Sequence, residues 1–124
     1  MENKEFIDSY KQIAKRAIET SDKIRREGSL ALEKFIDKEK INERDIFELG
    51  LSFMIDGTER KITNNILSNI VNQEKDEQLN TLKTIQKEAI LAIYDGINSY
   101  LLRHLINSYT SLNLDEDEIF NSDD

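Results

Sequence analysis

The residues predict an all-α fold of about five helices, led by a long N-terminal amphipathic helix that shorter helices pack against. Three observations lead there. Proline is absent from the 124 residues, glycine occurs only four times, and 34% of the chain is charged. That composition suits long helices with solvated faces better than a turn-rich β architecture. The length fits one domain, read as a single helical domain over 1–112 followed by an acidic, flexible tail over 113–124.

Stepping about 100° per residue from Phe6, Ile7, Tyr10, Ile13, Ala14, Ala17, Ile18, Ser21 and Ile24 gather on one side. Gly28, Ala31, Leu32, Phe35 and Ile36 continue the stripe in the same register. The pattern predicts one helix of about 30 residues, spanning about 45 to 50 Å at 1.5 Å per residue. Gly28 inside it points either to close approach by another helix or to a local kink.

After the charged stretch 37–40, Asn42 is placed to cap a second helix, with Asp45 three residues on and Ile46, Leu49, Gly50, Phe53 and Met54 as its buried face. Asp56-Gly57 supplies a positive-φ turn, and Thr58 is placed to cap a third helix facing inward through Ile62, Ile66, Leu67, Ile70 and Val71. The polar segment 72–80 reads as a loop or a solvated helical turn. Leu82, Ile85, Gln86, Ala89, Ile90 and Ile93 then restore the helical period up to Tyr94. Asp95-Gly96 ends that helix, making Gly96 a structural glycine like Gly28 and Gly57. Asn98 or Ser99 caps a fifth, in which Tyr100, Leu101, Leu102, Leu105, Ile106 and Tyr109 cover enough of the circumference to predict burial on most sides. The tail reads as solubilising, with an acidic-hydrophobic docking peptide around Ile119-Phe120 as the sharper reading.

Charge and composition exclude several functions. The net charge is −8, and six acids with no base in 115–124 leave −2 for the rest, which argues against nucleic acid as the main partner. With no cysteine there is no disulfide or thiolate chemistry. The longest clean apolar run, 89–94, falls far short of the roughly 20 residues of a membrane helix, and no signal peptide stands at the N-terminus. A soluble, cytoplasmic protein without membrane insertion is expected. His104 has no ligand pattern around it, and Asp56-Gly57-Thr58-Glu59 lacks the further oxygens of a calcium loop and the lysine of a phosphate loop. Nothing places Glu27 and Glu33, or Asp95 and its neighbouring acids, in a pocket as a carboxylate pair. Metal, cofactor and enzymatic activity are therefore not expected.

The charged side of the first helix offers a contact face. Taken from Ile24, Arg26 lies near about 200° and Glu33 near about 180°, opposite the stripe, with Leu30 at about 240° among them and Arg25 on the border at about 100°. Lys34 and Arg26 flank Leu30 four residues away on each side. Arg26, Leu30, Glu33 and Lys34 form a candidate partner-binding patch, while Arg25 either joins it or lies along the core edge with its stem buried. Simple solvation of a long helix is the plain alternative, although exposed ion pairs add only about 0 to 1 kcal/mol.

Two stretches give this face a context. Arg25-Arg26-Glu27-Gly28-Ser29-Leu30-Ala31-Leu32-Glu33, then Gly50-Leu51, Asp56-Gly57-Thr58 and Ile66-Leu67, resemble the cytoplasmic part of MotA-type flagellar stator subunits, with their A-R-R-E-G-L-L-A-L-E segment, downstream G-L-x-L-x-x-D-G-T turn and following I-L helix. Glu88-Ala89-Ile90-Leu91-Ala92-Ile93-Tyr94-Asp95-Gly96-Ile97-Asn98 resembles the family's E-G-I-L-A-I-x-x-G-x-N-P-R segment, with Ser99 in the proline's place. In the family two membrane helices separate these blocks and two more precede the first. Here the separator is only residues 71–87, and the preceding segment is an amphipathic soluble helix.

The resemblance implies a stator-like protein that lacks the membrane spans and cannot conduct ions by that route. It nominates Arg25 and Glu33 for contact with a flagellar motor component: the rotor switch ring, the stator or an accessory protein. The expected function is protein-protein interaction in motility and chemotaxis at the cytoplasmic face of the motor. A structural homo-oligomeric scaffold, for instance a homodimer paired through the long stripe, is the alternative.

Overall fold

The computed structural model describes residues 2–121, without the side chains of Phe35 and Lys38. No strand occurs among them, and the helices are α1 Asn3–Glu27, α2 Leu32–Phe35, α3 Ile46–Ile55, α4 Arg60–Asn72, α5 Glu77–Tyr94, α6 Ser99–Asn107 and α7 Glu116–Phe120. Short 3-10 turns stand at Ser29–Ala31 and Lys38–Lys40. The all-α class and the long first helix are as expected. The Phe35 side chain assigned to the stripe and residues 122–124 of the tail lie outside the described residues.

Helix α1 buries Tyr10, Ala14, Ala17, Ile18 and Ser21 along the predicted stripe, but it is not one helix through residue 36. It stops at Glu27 because Gly28 takes φ +84° and ψ 165° while its N–H still reaches the Ile24 carbonyl at 2.7 Å. Only glycine adopts that backbone region readily. A Cβ on Gly28 would meet nothing within 4 Å, so the glycine marks a break and not a helix approach. The 3-10 turn and α2 then return Ala31 and Leu32 to the core at 3% and 0% exposure.

The close approach occurs at Gly50 instead. A Cβ there would lie 2.8 Å from Cγ1 and 2.9 Å from Cγ2 of Ile90, so glycine lets α3 settle onto α5. Helix α3 is capped by Asp45, three residues beyond Asn42, the cap its sequence predicts. Asp45 Oδ1 accepts from the N–H groups of Phe47 (2.9 Å) and Glu48 (3.2 Å), while the Asn42 side chain accepts from the Arg44 N–H in the preceding turn. Asp45 Oδ2 also receives Arg16 at 2.9 Å, and that guanidinium lies 4.8 Å from the Phe47 ring centroid. The start of α3 is thereby pinned to α1.

Helices α3 and α5 end alike. The Gly57 N–H bonds to Met54 and the Thr58 N–H to Phe53, and in parallel Gly96 bonds to Ile93 and Ile97 to Ala92. Both are Schellman closures around a positive-φ glycine. Thr58 is consequently part of a C-cap and does not cap α4, whose N-cap Glu59 makes no side-chain bond. The Thr58 carbonyl instead accepts from the Tyr94 hydroxyl at 3.0 Å, and Tyr94 also pairs with Thr63 at 2.8 Å.

Helix α5 is the centre, with α1, α3, α4 and α6 all packed on it. Leu82, Ile85, Ala89, Ile90, Leu91, Ala92 and Ile93 are buried along its length. Its start is fixed by a turn without glycine. Glu74 accepts from Lys83 Nζ at 2.7 Å and from the Asp76 N–H at 3.0 Å, and Asn80 Nδ2 donates to the Val71 carbonyl at 2.9 Å.

Two inward faces differ from expectation. Helix α4 turns Thr63, Leu67 and Val71 to the core and leaves Ile62 and Ile66 exposed, because the Thr63 hydroxyl has a half-buried partner in Tyr94 that periodicity cannot reveal. Helix α6 buries Leu102, Ile106 and Asn107 but exposes Tyr100 and Leu101; it lies on one side of α1 and α5 and is not enclosed. The segment read as a flexible tail carries α7, capped by a reciprocal Asp115–Glu118 box, with Leu114 and Ile119 buried.

Gly28→Ala should cost about 1–3 kcal/mol through its backbone conformation, and Gly50→Ala about 1–3 kcal/mol through overpacking against Ile90. Urea denaturation measures both, and a Gly50→Ala chain as stable as wild type would contradict the contact. The Glu74 carboxyl is held below its ordinary value by the Lys83 hydrogen bond, with the Asp76 N–H adding to the effect. Its stabilisation is therefore complete above the ordinary glutamate value and lost as pH falls through the depressed one. Glu74→Gln should flatten that acid limb of the stability-pH curve and leave the neutral-to-alkaline part unchanged in shape.

Candidate protein-contact face

The α1–α2 elbow gathers the nominated residues. Residues 25–30 are all exposed, as are Glu33 and Lys34 on α2, whereas Ala31 and Leu32 between them are buried. Two buried anchors therefore hold the elbow against the domain and leave Leu30 outward at 75% exposure. A lone exposed leucine is ordinary; this one is presented by a turn whose other side is fixed. Arg25 and Arg26 stand in the last turn of α1, where cations complement the unsatisfied carbonyls of a helix C-terminus.

The two arginines do different work. Arg26 Nε reaches the Asp22 carbonyl of its own helix at 3.3 Å, and the residue lines a groove of about 750 Å³ with Asp22, Lys23, Asp37 and Lys40. Arg25 Nη1 donates to the Gly96 carbonyl at 2.7 Å, fastening α1 to the turn between α5 and α6. The same turn is gripped from α4, because Arg60 forks onto Asp95 with Nε–Oδ1 at 2.9 Å and Nη2–Oδ2 at 3.0 Å. Paired contacts of this kind fix orientation as well as adding energy. Ser21 Oγ also reaches the Ile97 carbonyl at 3.2 Å. Arg25 is thus exposed yet engaged, while Arg26 at the end of α1, Leu30 on the turn, and Glu33 and Lys34 on α2 are each exposed.

The groove is the feature sequence reading missed. Its walls are α1 from Arg16 to Arg26 and the segment around Ile36, Asp37 and Lys40, with Leu51 of α3 and Glu116 and Phe120 of α7 completing it. Its lining carries both signs of charge, and Arg16 in it is already paired with Asp45 at 2.9 Å. The one usable signal was the apolar Ile119-Phe120 pair inside the acidic C-terminal stretch.

Other titratable groups serve packing. His104 is exposed on α6 and lies edge-on to Tyr100, with ring centroids 4.6 Å apart. Burial pushes the Tyr10 phenol up, so it remains the proton donor to Asn107 Oδ1. Burial likewise raises the Tyr109 phenol, with Glu88 adding to the shift. Among the described residues no group of three or more His, Cys, Asp or Glu is placed to hold a metal ion, and no helix is long and apolar enough to cross a membrane. No family model, no curated protein and no solved structure matches this chain.

Arg25→Ala should lower stability by about 0.5–1 kcal/mol, the range of a partly solvated hydrogen bond, while Arg26→Ala should stay within about 0.5 kcal/mol of wild type. Thermal melts of the two variants side by side check the division of roles. Equal effects would contradict it.

Proposed function

We propose that this chain is a soluble, non-enzymatic relative of the stator's cytoplasmic domain, and that it binds a component of the flagellar motor through the α1–α2 elbow. One observation carries the reading. The two stretches that resemble the stator, residues 25–67 and 88–98, pack on each other although a polar segment separates them. Gly50 meets Ile90, Arg25 holds Gly96 and Arg60 holds Asp95, as expected of two halves of one domain.

In this reading Arg26, Glu33 and Lys34 steer and orient the partner, since complementary charge acts mainly on association rate and register. Leu30 supplies the apolar centre that a ring of charged contacts shields from water. Arg25 is a positioning residue behind them. The fitting partner surface is a helix carrying both signs of charge around an apolar contact, on the rotor switch ring, the stator or an accessory motor protein at the cytoplasmic face. The homo-oligomeric scaffold has less in its favour, because the apolar stripe that motivates it is packed by α5, α6 and α7 of the same chain.

The test is retention of motor components by the immobilised protein. Arg26→Glu, Glu33→Lys and Leu30→Asp should each reduce retention by about tenfold or more with the melting temperature unchanged. Full retention by all three folded variants would remove the elbow from the contact.

A further inference from the structure

The five-residue helix α7 is too short to persist alone, since isolated helices below about 12 residues are marginal in water. What holds it is a compact set of contacts. Leu114 and Ile119 are buried and Phe120 packs partly against the core. The Asn107 carboxamide clasps Leu114 from both sides: Nδ2 donates to its carbonyl at 2.7 Å, and Oδ1 accepts its N–H at 3.3 Å. Arg103 adds a bond to the same carbonyl at 3.1 Å. Just before the clasp, Asn113 has φ +48°, the one positive-φ non-glycine among the described residues. Asparagine is one of the few residue types that visit this region readily.

The order along the chain is thus a hinge residue, a clasp and an apolar plug. Two further features favour separate opening. Asn107 keeps its bond from the Tyr10 hydroxyl when Leu114 departs, so α6 remains anchored to α1. The released segment would carry four consecutive acids, Asp115 to Glu118, and such a segment is well solvated.

We propose that residues 114–120 form a strap that opens as a unit, independently of the helical core, and in doing so widens the groove beside α1 that reaches Arg26. Glu116 and Phe120 stand on the strap side of that groove, and Glu19, Lys23 and Arg26 on the α1 side. Undocking replaces one wall with solvent and uncovers the flank of α1. The effect on a motor partner rests on the proposed contact face, but the opening itself is a property of this chain and is tested without any partner.

Hydrogen exchange on the full chain is the experiment. Local opening spans a wide range of free energies below global unfolding, and the amides of Ile119 and Asn121, bonded to Asp115 and Asp117, should exchange about 100-fold or more faster than those of α5 around Ile90. Ile119→Ala, which leaves the Tyr10–Asn107 pair untouched, should speed strap exchange about a further tenfold. Gly50→Ala, which weakens the α3–α5 packing and leaves the strap contacts in place, should speed exchange of α5 and leave that of the strap unchanged. Equal protection of strap and α5 in wild type, or a Gly50→Ala chain in which both accelerate together, would show that α7 leaves only when the whole domain unfolds and would overturn the proposal. Such a failure would leave the partner-retention test of the elbow unaffected.

Discussion

The contact on which the rest of the architecture depends is the one between Gly50 and Ile90. Helix α5 buries seven of its eighteen residues, five of them consecutive from Ala89 to Ile93, and a helix so placed needs neighbours on several sides at well-defined distances. Ile90 is fully buried and cannot swing away, so the distance between α3 and α5 is set by the absence of a side chain at residue 50. With α3 seated there, its Asp45 cap meets Arg16 of α1, and its closing turn places the Thr58 carbonyl against the Tyr94 hydroxyl. One close approach thereby coordinates contacts at both ends of α3.

Local sequence codes act through these tertiary ties. The Asp-Gly pairs at 56–57 and 95–96 form the same helix-ending turn, which requires glycine in a positive-φ conformation. The second is held by arginines from two other helices. Arg25 and Arg60 converge on it, so the end of α1, the start of α4 and the end of α5 share one junction. The elbow follows directly after that junction, so its exposed residues project from a well-fixed base. A contact patch gains from such preorganisation, because less motion must be frozen on binding.

The charged segments show how little sign alone conveys. The acids of the C-terminal stretch look like a solubilising tail, yet Asp115 and Glu118 close a capping box and Ile119 is 1% exposed. The Arg25-Arg26 pair looks uniform, but one guanidinium spans to a carbonyl 71 residues away while the other returns to its own helix. In each case the partner decides the role, and the partner is remote in sequence.

Periodicity, caps and glycines were sufficient to determine the all-α class, a long first helix, both Asp-Gly turns, a cap at Asn98 or Ser99 and the exposure of Arg26, because these depend on residues within one or two helical turns of each other. The wheel could not tell that Gly28 breaks the spine whereas Gly50 makes the close approach. Both lie on apolar faces, and only the position of neighbouring helices separates a backbone requirement from a steric one. The inward turn of Thr63, the one-sided exposure of α6, the engagement of Arg25 and the docking of α7 were likewise decided by tertiary structure. Each rests on a hydrogen bond or packing partner from another helix, and the residues of a single helix carry no record of where that partner lies.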